Sequence, residues 1–384
     1  MKKSSMFFLW VGASISISEI FTGGLLAPLG FVQGIGVILG GHLIGTILFA
    51  AGAYISYTRK VNAMESAAFS FGSLGGKLVA MCNLVQLVGW IIILVVQSAN
   101  AIVGALPNLP FWTVALVLSI LQMVWTIVFS TPGGRINDAA VILLAGLCGL
   151  FFFEAFSNKT TAVNSVQDIN LALGIELCIA MPVSWLPLVG DHSYKANNKI
   201  CAVLMPFLGY FLGSSLMYII GFYIVISSGN DIFSFIGLSK FRYIACGVLM
   251  LSTMTTNFVA LYSAAVSSTQ FTKSNNTQIP AGVIGTAALV VAVFFPVDRF
   301  VIVLEKFLTS ITMVFAPLFT ILFIECLTKK KQCEKAVNWR LLLIAVIGMA
   351  GNWLFNRYAI FIPTLASVAL VAALYAVPIK FTRG

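Results

Sequence analysis

Four side chains, Asn83, Gln86, Trp90 and Gln97, combine a common chemistry with a telling spacing. At ~100° per residue they fall within ~60° of arc, so one helix face carries three amides and an indole. Amides donate and accept, and an indole offers a flat stacking surface, so the stripe suits a planar polar ring. The bland alternative is helix glue, worth about 0.6 kcal/mol per contact in membranes, and for a single Gln it would be preferred. A second set, Ser252, Thr255, Thr256 and Ser263, spans ~100° of one helix, with Asn257 ~100° beyond Thr256. Neutral hydroxyls beside exposed carbonyls suit a hard cation of modest charge; back-bonding of each hydroxyl within its own helix is the structural alternative. The third feature is Glu19, sixteen residues past Lys3, in the segment 10–20 (WVGASISISEI) with Ser14, Ser16 and Ser18. An acid near mid-bilayer costs roughly 2.5–3.5 kcal/mol on insertion scales, and such acids face a partner, a cavity or a ligand.

The composition names the elements that must hold these groups. Of 384 residues, 60% are hydrophobic and 9% charged, against about 25% charged in a soluble chain. The chain reads as an all-α integral membrane protein. Apolar stretches long enough to cross ~30 Å of hydrocarbon lie at about 7–28, 33–57, 77–104, 110–130, 136–156, 169–188, 202–227, 242–267, 279–295, 306–327, 339–355 and 359–377, or about twelve helices. With both termini inside, one side receives Lys2, Lys3, Arg59, Lys60, Lys77, Arg135, Lys195, Lys199, Lys273, Lys329, Lys330, Lys331, Lys335, Arg340, Lys380 and Arg383. The other keeps Lys159, Lys240, Arg242, Arg299, Lys306 and Arg357. That asymmetry, rather than nucleic-acid binding, explains the net charge of +10, and it places both termini in the cytoplasm. Met1-Lys-Lys before an apolar run mimics a signal peptide, but no convincing cleavage site follows. Seven cysteines, mostly inside the expected helices, give neither a disulfide framework nor a metal spacing.

The expected organisation is a single transporter domain over 1–384, with repeat one at about 7–156, repeat two at about 169–327 and peripheral helices at about 339–377. Helix one is interrupted around Ser16, Ser18, Thr22, Gly23 and Gly24. Helix six is interrupted in the segment 181–191 (MPVSWLPLVGD), where Pro182 and Pro187 each remove a backbone donor. Interrupted helices at matching places in two halves mark transport sites. Helix two carries Gly36, Gly40, Gly41 and Gly45 at four-residue spacings that permit close approach. His42 among them is read as a packing residue ahead of a proton relay. Glu176 ranks well behind Glu19, and Glu154 and Glu325 near helix ends are expected to snorkel or meet the interface. No hydrolase, phosphate-loop or metal-protease motif appears, so no enzyme is expected. Selectivity-filter loops and rings of charge are also missing, which argues against a channel.

In order and spacing, WVGASISISEI, GHLIG of helix two, QLVGW (86–90), MPVSWLPLVGD and TTNFVALYSA (255–264) resemble the nucleobase:cation symporter-1 family. The likeness is greatest to its bacterial branch assigned to hydroxymethylpyrimidine, the pyrimidine precursor of thiamine. The resemblance covers nearly the whole chain. It implies a LeuT-type fold of two inverted five-helix repeats with broken helices 1 and 6, two added helices, alternating access and cation-coupled import across the bacterial inner membrane. It implies no cofactor beyond a coupling ion, sodium ahead of a proton. The ion would lie between carbonyls of Gly12 and Ile15 and hydroxyls of Thr255 and Thr256, with Ser252 beside them. A small planar pyrimidine would stack on Trp90, with Ser16, Gln86, Ser184 and Asn257 as polar contacts. Trp185 stands near where the family places a helix-six aromatic, although the ungapped match falls on Pro182. Glu19 would read the amine edge of an aminopyrimidine. The alternatives are a symporter for cytosine, a purine or another nucleobase-like ring and, from another class, a membrane sensor or channel.

Overall fold

Inside hydrocarbon every backbone N–H and C=O must be satisfied within its own segment, and this apolar chain responds with helices. The structure, a computed structural model, describes residues 3–128, 135–157, 169–269, 271, 277–328, 332–358, 360 and 362–377. Lys2, Lys159, Lys273, Lys329, Lys330, Lys331, Lys380 and Arg383 of the charge pattern lie outside them, as do residues 129–130 of the fourth expected helix. In chain order the helices are α1 (Lys3–Ser14), α2 (Ile17–Leu25), α3 (Phe31–Arg59), α4 (Ala63–Phe71), α5 (Ser73–Ala105), α6 (Phe111–Val128), α7 (Arg135–Ser157) and α8 (Leu171–Ser184). There follow α9 (Leu186–Ser193), α10 (Met205–Ser228), α11 (Ile232–Leu238), α12 (Arg242–Thr269), α13 (Gln278–Val293), α14 (Phe300–Thr328), α15 (Trp339–Arg357) and α16 (Pro363–Ala376). Among the described residues nine helical spans are long and apolar enough to cross a membrane, α8 with α9 counting as one. The bent pair α1–α2 makes a tenth, and the shorter apolar helices α13 and α16 stand at the ninth and twelfth expected places. Helices α4 and α11, nine and seven residues long, escape a reading tuned to spans.

Helix one breaks as expected, at the start of the expected stretch and over fewer residues. The bend between α1 and the segment after it is 57°, and it falls at Ile15 and Ser16. Ser16 is extended (φ −146°), and its hydroxyl accepts the Glu19 N–H at 3.3 Å, capping α2. Thr22, Gly23 and Gly24 lie inside α2 instead of in the break. Gly23 is there for proximity, because a Cβ would run into the backbone of Tyr218 on α10. Helix six is interrupted only at Trp185, and α8 and α9 still form one 23-residue span. Pro187 cannot donate, and the Trp185 N–H turns to Pro182 O at 3.2 Å, so the chain tightens for one residue and resumes.

Packing follows the small residues in part. Gly41 and Gly45 of α3 meet Cys178, Ile179 and Pro182 of α8, whereas Gly36 and Gly40 face open space. Only half of the expected glycine spacing is therefore a helix contact. On α10, Gly209, Gly213 and Gly221 bring α1 and α2 against it, with Phe7, Ser14 and Ile20 as neighbours. The other buried acids are interhelical anchors. Glu176 accepts from the Thr364 N–H (2.8 Å) and hydroxyl (2.6 Å) and from Thr312 (3.2 Å), tying α8 to α14 and to the first turn of α16. Glu154 accepts from Ser239 and the Lys240 N–H, and Glu325 from Tyr375. Neither snorkels, because each is buried and finds a donor on a neighbouring helix or loop. Asn352 binds Ser367 and pins α15 to α16.

Loops identify the two ends of the bundle. The Ala63 N–H binds Asp191, and Cys333, Asn338 and Leu74 hydrogen-bond across the α4–α5 and α14–α15 connections. Arg59, Lys60, Lys195 and Lys335 belong to this basic end.

Candidate functional site

The two helix breaks open onto one small cavity. It measures about 50 Å³ and is walled by Ser16, Ser18 and Glu19 from the first break, Met181, Ser184 and Trp185 from the second, Trp90 and Leu94 of α5, and Thr256 of α12. Five expected substrate residues therefore come together: Ser16, Glu19, Trp90, Ser184 and Trp185. Two indoles form part of the wall. Trp90 is held by the Phe307 ring at 5.2 Å, nearly perpendicular, and Trp185 by Trp10 at 5.9 Å. Leu188 is shared with a vestibule of about 260 Å³ at the basic end, which Asn83, Asp191, Tyr194 and Tyr262 help to line. At the other end a cavity of about 530 Å³ reaches Phe21, Asn100, Asp231, Phe233 and Phe300.

Gln86 and Asn257 do not line the cavity, contrary to expectation, and the helix-six break supplies the reason for the first. The Leu188 N–H bonds to Trp185 O, which leaves Ser184 O without its helical donor. Gln86 Nε2 fills that vacancy at 2.8 Å and also donates to Asn83 Oδ1 at 3.1 Å. Asn257 reaches Ile91 O across the α5–α12 contact at 3.4 Å. Gln86 Oε1 and Asn257 Oδ1 are nonetheless buried without a partner, so each amide keeps an unused acceptor beside the site. Gln97 accepts from Ser18 and joins α5 to α2. The amide stripe thus runs along one face, but two of its members tie helices together.

Glu19 is held from α10, an element in which the sequence reading singled out no residue. Tyr210 donates to Oε1 at 2.8 Å and Ser214 to Oε2 at 2.7 Å, and His42 Nε2 stands 4.0 Å from Oε2. All four groups are buried. Tyr210 and Ser214 are four residues apart, one helical turn, and that polar pair inside an apolar helix was the available signal. Tyr210 also lies against Trp185, so the carboxylate and one indole share a support.

The five residues assigned to a cation divide differently. Gly12 O accepts from the Ile15 N–H at 3.3 Å, and Ile15 lies in the break itself. The Thr255 hydroxyl donates to Leu251 O and Ser252 O at 3.1 and 3.0 Å, which leaves its lone pairs for another partner. Ser252 is buried on the same helix, and only Thr256 lines the cavity. The donor set is all neutral oxygen, as a monovalent hard cation requires, but α1 packs chiefly on α10 and α12 on α5.

Comparisons with known proteins meet this geometry from outside. No protein-family model matches the sequence. Cytosine permease of Escherichia coli (strain K12) is 26% identical over 365 residues, covering 90% of this chain and 85% of the permease. The inward-facing conformation of Mhp1 superposes with a TM-score of 0.76 at 16% identity, over 97% of this chain and 89% of Mhp1. Mhp1, a nucleobase-cation-symport-1 family transporter, in a closed conformation with bromovinylhydantoin bound, gives 0.71 at 16% identity, over 97% and 91%. A sodium-coupled sialic acid symporter in its substrate-bound outward-open state gives 0.62 at 13% identity, over 97% and 93%. The fold is the LeuT-type fold of Mhp1, and the likeness to cytosine permease runs along nearly the whole chain.

Proposed function

We propose that the chain is a cation-coupled importer of hydroxymethylpyrimidine, or of a closely related thiamine precursor, working by alternating access in a bacterial inner membrane with its basic end in the cytoplasm. One observation carries the reading: a buried carboxylate, fixed by two hydroxyl donors, stands in the wall of a cavity flanked by two indoles. A carboxylate has about four acceptor positions, and Tyr210 and Ser214 use two. Those remaining suit the exocyclic amine of an aminopyrimidine whose ring stacks on Trp90 or Trp185. A ring without the amine would leave a buried acceptor unpaired, at a cost of ~1–3 kcal/mol. At about 50 Å³ the cavity is contracted, and the walls that meet at Leu188 and Trp185 must part to admit a ring. Sodium is the proposed coupling ion, and Gly12, Ile15, Ser252, Thr255 and Thr256 are the residues that would hold it.

Likeness to cytosine permease favours a second reading, because cytosine also presents an amine beside a ring nitrogen. Uptake of labelled hydroxymethylpyrimidine into proteoliposomes, competed with cytosine and driven separately by sodium and proton gradients, separates the two. Accumulation driven by an ion gradient, with hydroxymethylpyrimidine the better competitor, is expected. Preference for cytosine would transfer the assignment, and no gradient-dependent accumulation would leave a channel or sensor. Glu19→Gln should lower uptake by about tenfold or more at unchanged protein yield, from the ~1.5–3 kcal/mol attached to hydrogen bonds with charged groups; unchanged uptake would remove Glu19 from the site.

A further inference from the structure

Two buried ionisable groups meet where α2, α3 and α10 join, and the contact between them lacks one hydrogen. His42 Nδ1 lies 2.8 Å from Ile38 O, which can only accept, so Nδ1 carries a hydrogen. In a neutral imidazole the other nitrogen is then a bare acceptor. That nitrogen, Nε2, has no hydrogen-bond partner and faces Glu19 Oε2 at 4.0 Å. Oε2 already accepts from Ser214, and Oε1 from Tyr210. Acceptor therefore faces acceptor between residues that are 0% and 2% exposed, an arrangement that one added proton turns into a charge-assisted hydrogen bond. The surroundings do not supply that charge otherwise. The titratable groups facing Glu19 are Tyr210 and Tyr218 of α10 and Cys178 of α8, all neutral near pH 7, and α5 presents only the Gln97 amide through Ser18. Among the described residues no Lys or Arg pairs with Glu19.

We infer that Glu19 and His42 form a proton-binding site, holding one proton between Oε2 and Nε2, whose occupancy rises with that of the neighbouring cavity. The proton comes from the medium and returns to it, with no other bond made or broken. The linkage rests on the proposed reading of the cavity, whereas the proton site itself does not. Its sign follows from the ligand edge: an aminopyrimidine presents an acceptor nitrogen beside its donor amine, and a carboxylate whose charge is offset by the proton shared with His42 repels that nitrogen less than an uncompensated one while still accepting from the amine.

The first test needs no ligand. Infrared difference spectra of the full chain in lipid, titrated between about pH 5 and about pH 9, with its glutamates ¹³C-labelled to identify the carboxyl bands, should show a titrating carboxyl. That band should vanish in Glu19→Gln and shift in His42→Gln, whose amide offers a permanent N–H. The second test adds hydroxymethylpyrimidine in weak buffer. Binding should take up about one proton per protein at most and should weaken by up to about tenfold per pH unit above the titration of the pair, as one-proton linkage requires. His42→Gln should bind with pH-independent affinity and take up no proton, an outcome that mere structural damage would not produce. Absence of a titrating band assignable to Glu19 overturns the site whatever the substrate is. A band without proton uptake on binding overturns the linkage, as does a pH dependence unchanged in His42→Gln. A band in a protein that does not bind hydroxymethylpyrimidine upholds the site and instead sinks the substrate assignment.

Discussion

A carboxylate that accepts from two hydroxyls is oriented as well as stabilised, and at Glu19 the donors come from a helix that contributes no residue to the cavity wall. Tyr210 thus acts through Glu19 as a positioning residue. Tyr210→Phe keeps the ring that packs on Trp10 and Phe49 but removes the donor to Oε1. It is expected to weaken hydroxymethylpyrimidine uptake by about tenfold, from the ~1.5–3 kcal/mol attached to hydrogen bonds with charged groups. Competition by cytosine should change less than uptake itself, and uptake equal to wild type would mean that Ser214 alone orients the acid. Much of this site could be read before the fold was known. Glu19 and Ser16 were recognisable because polar groups in a weak helix segment are expensive in a membrane unless they line something, Trp90 because it shares a helix face with three amides, and Ser184 and Trp185 through the family resemblance. Tyr210 and Ser214 were not, since Tyr and Ser are common in apolar helices and only their shared partner, 191 and 195 residues away, gives them meaning. Gln86 was assigned to the ligand for the same reason in reverse: sequence periodicity shows the face it occupies but not the carbonyl that the break at Trp185 leaves uncapped.

At the scale of elements, the fold rests on a few close approaches. The order of the apolar helices was legible because hydrophobic length is a strong signal, and the interruption of helices one and six because serines and prolines weaken helices for known reasons. The extent of the first break was not, since Gly23 and Gly24 look like helix breakers in isolation and are packing residues in context. The glycines of α3 offer an internal control. Gly45→Val would drive a branched side chain into Pro182 and the backbone of Ile179 on α8, whereas Gly40→Val meets nothing within 4 Å. The first should destabilise the protein by roughly 1–3 kcal/mol, the usual range for overpacking, and lower its apparent melting temperature in detergent. The second should leave melting nearly unchanged. Equal melting of the two variants would show that α3 and α8 separate more readily than their packing implies. Glu176 makes the corresponding case for α16, whose first turn has the Thr364 N–H and hydroxyl on one carboxylate.

For the molecule as a whole, the central cavity stands between two larger spaces, one at each end, and the proposed alternating access would require each to be sealed in turn. At the end with fewer basic residues the seal is aromatic. Phe21 of α2 stacks on Phe233 of α11 at 4.6 Å, and Phe300 of α14 meets both at 5.4 and 5.9 Å. Three separate elements contribute one ring each, so the cluster forms only when α2, α11 and α14 are drawn together. At the basic end the vestibule ends on Leu188, just past the helix-six break. An aromatic cluster that exists in one state and is parted in another biases the equilibrium by the apolar surface that it buries. Removing one Phe forfeits about 1.5–3 kcal/mol of that burial, which corresponds to about ten- to 150-fold in the balance of states. Phe233→Ala is therefore expected to speed labelling of a cysteine placed at Asn100, in the outer cavity, by about tenfold or more when an impermeant thiol reagent is added from that side. Labelling of a cysteine at Ser263, in the vestibule at the basic end, should slow at the same time. Both measurements use a background in which Cys82, Cys246, Cys326 and Cys333, which are only partly buried, have been replaced. A reciprocal change at the two ends is what distinguishes a shifted equilibrium from a local loosening, because a leak around α11 would raise labelling at Asn100 and leave Ser263 where it was.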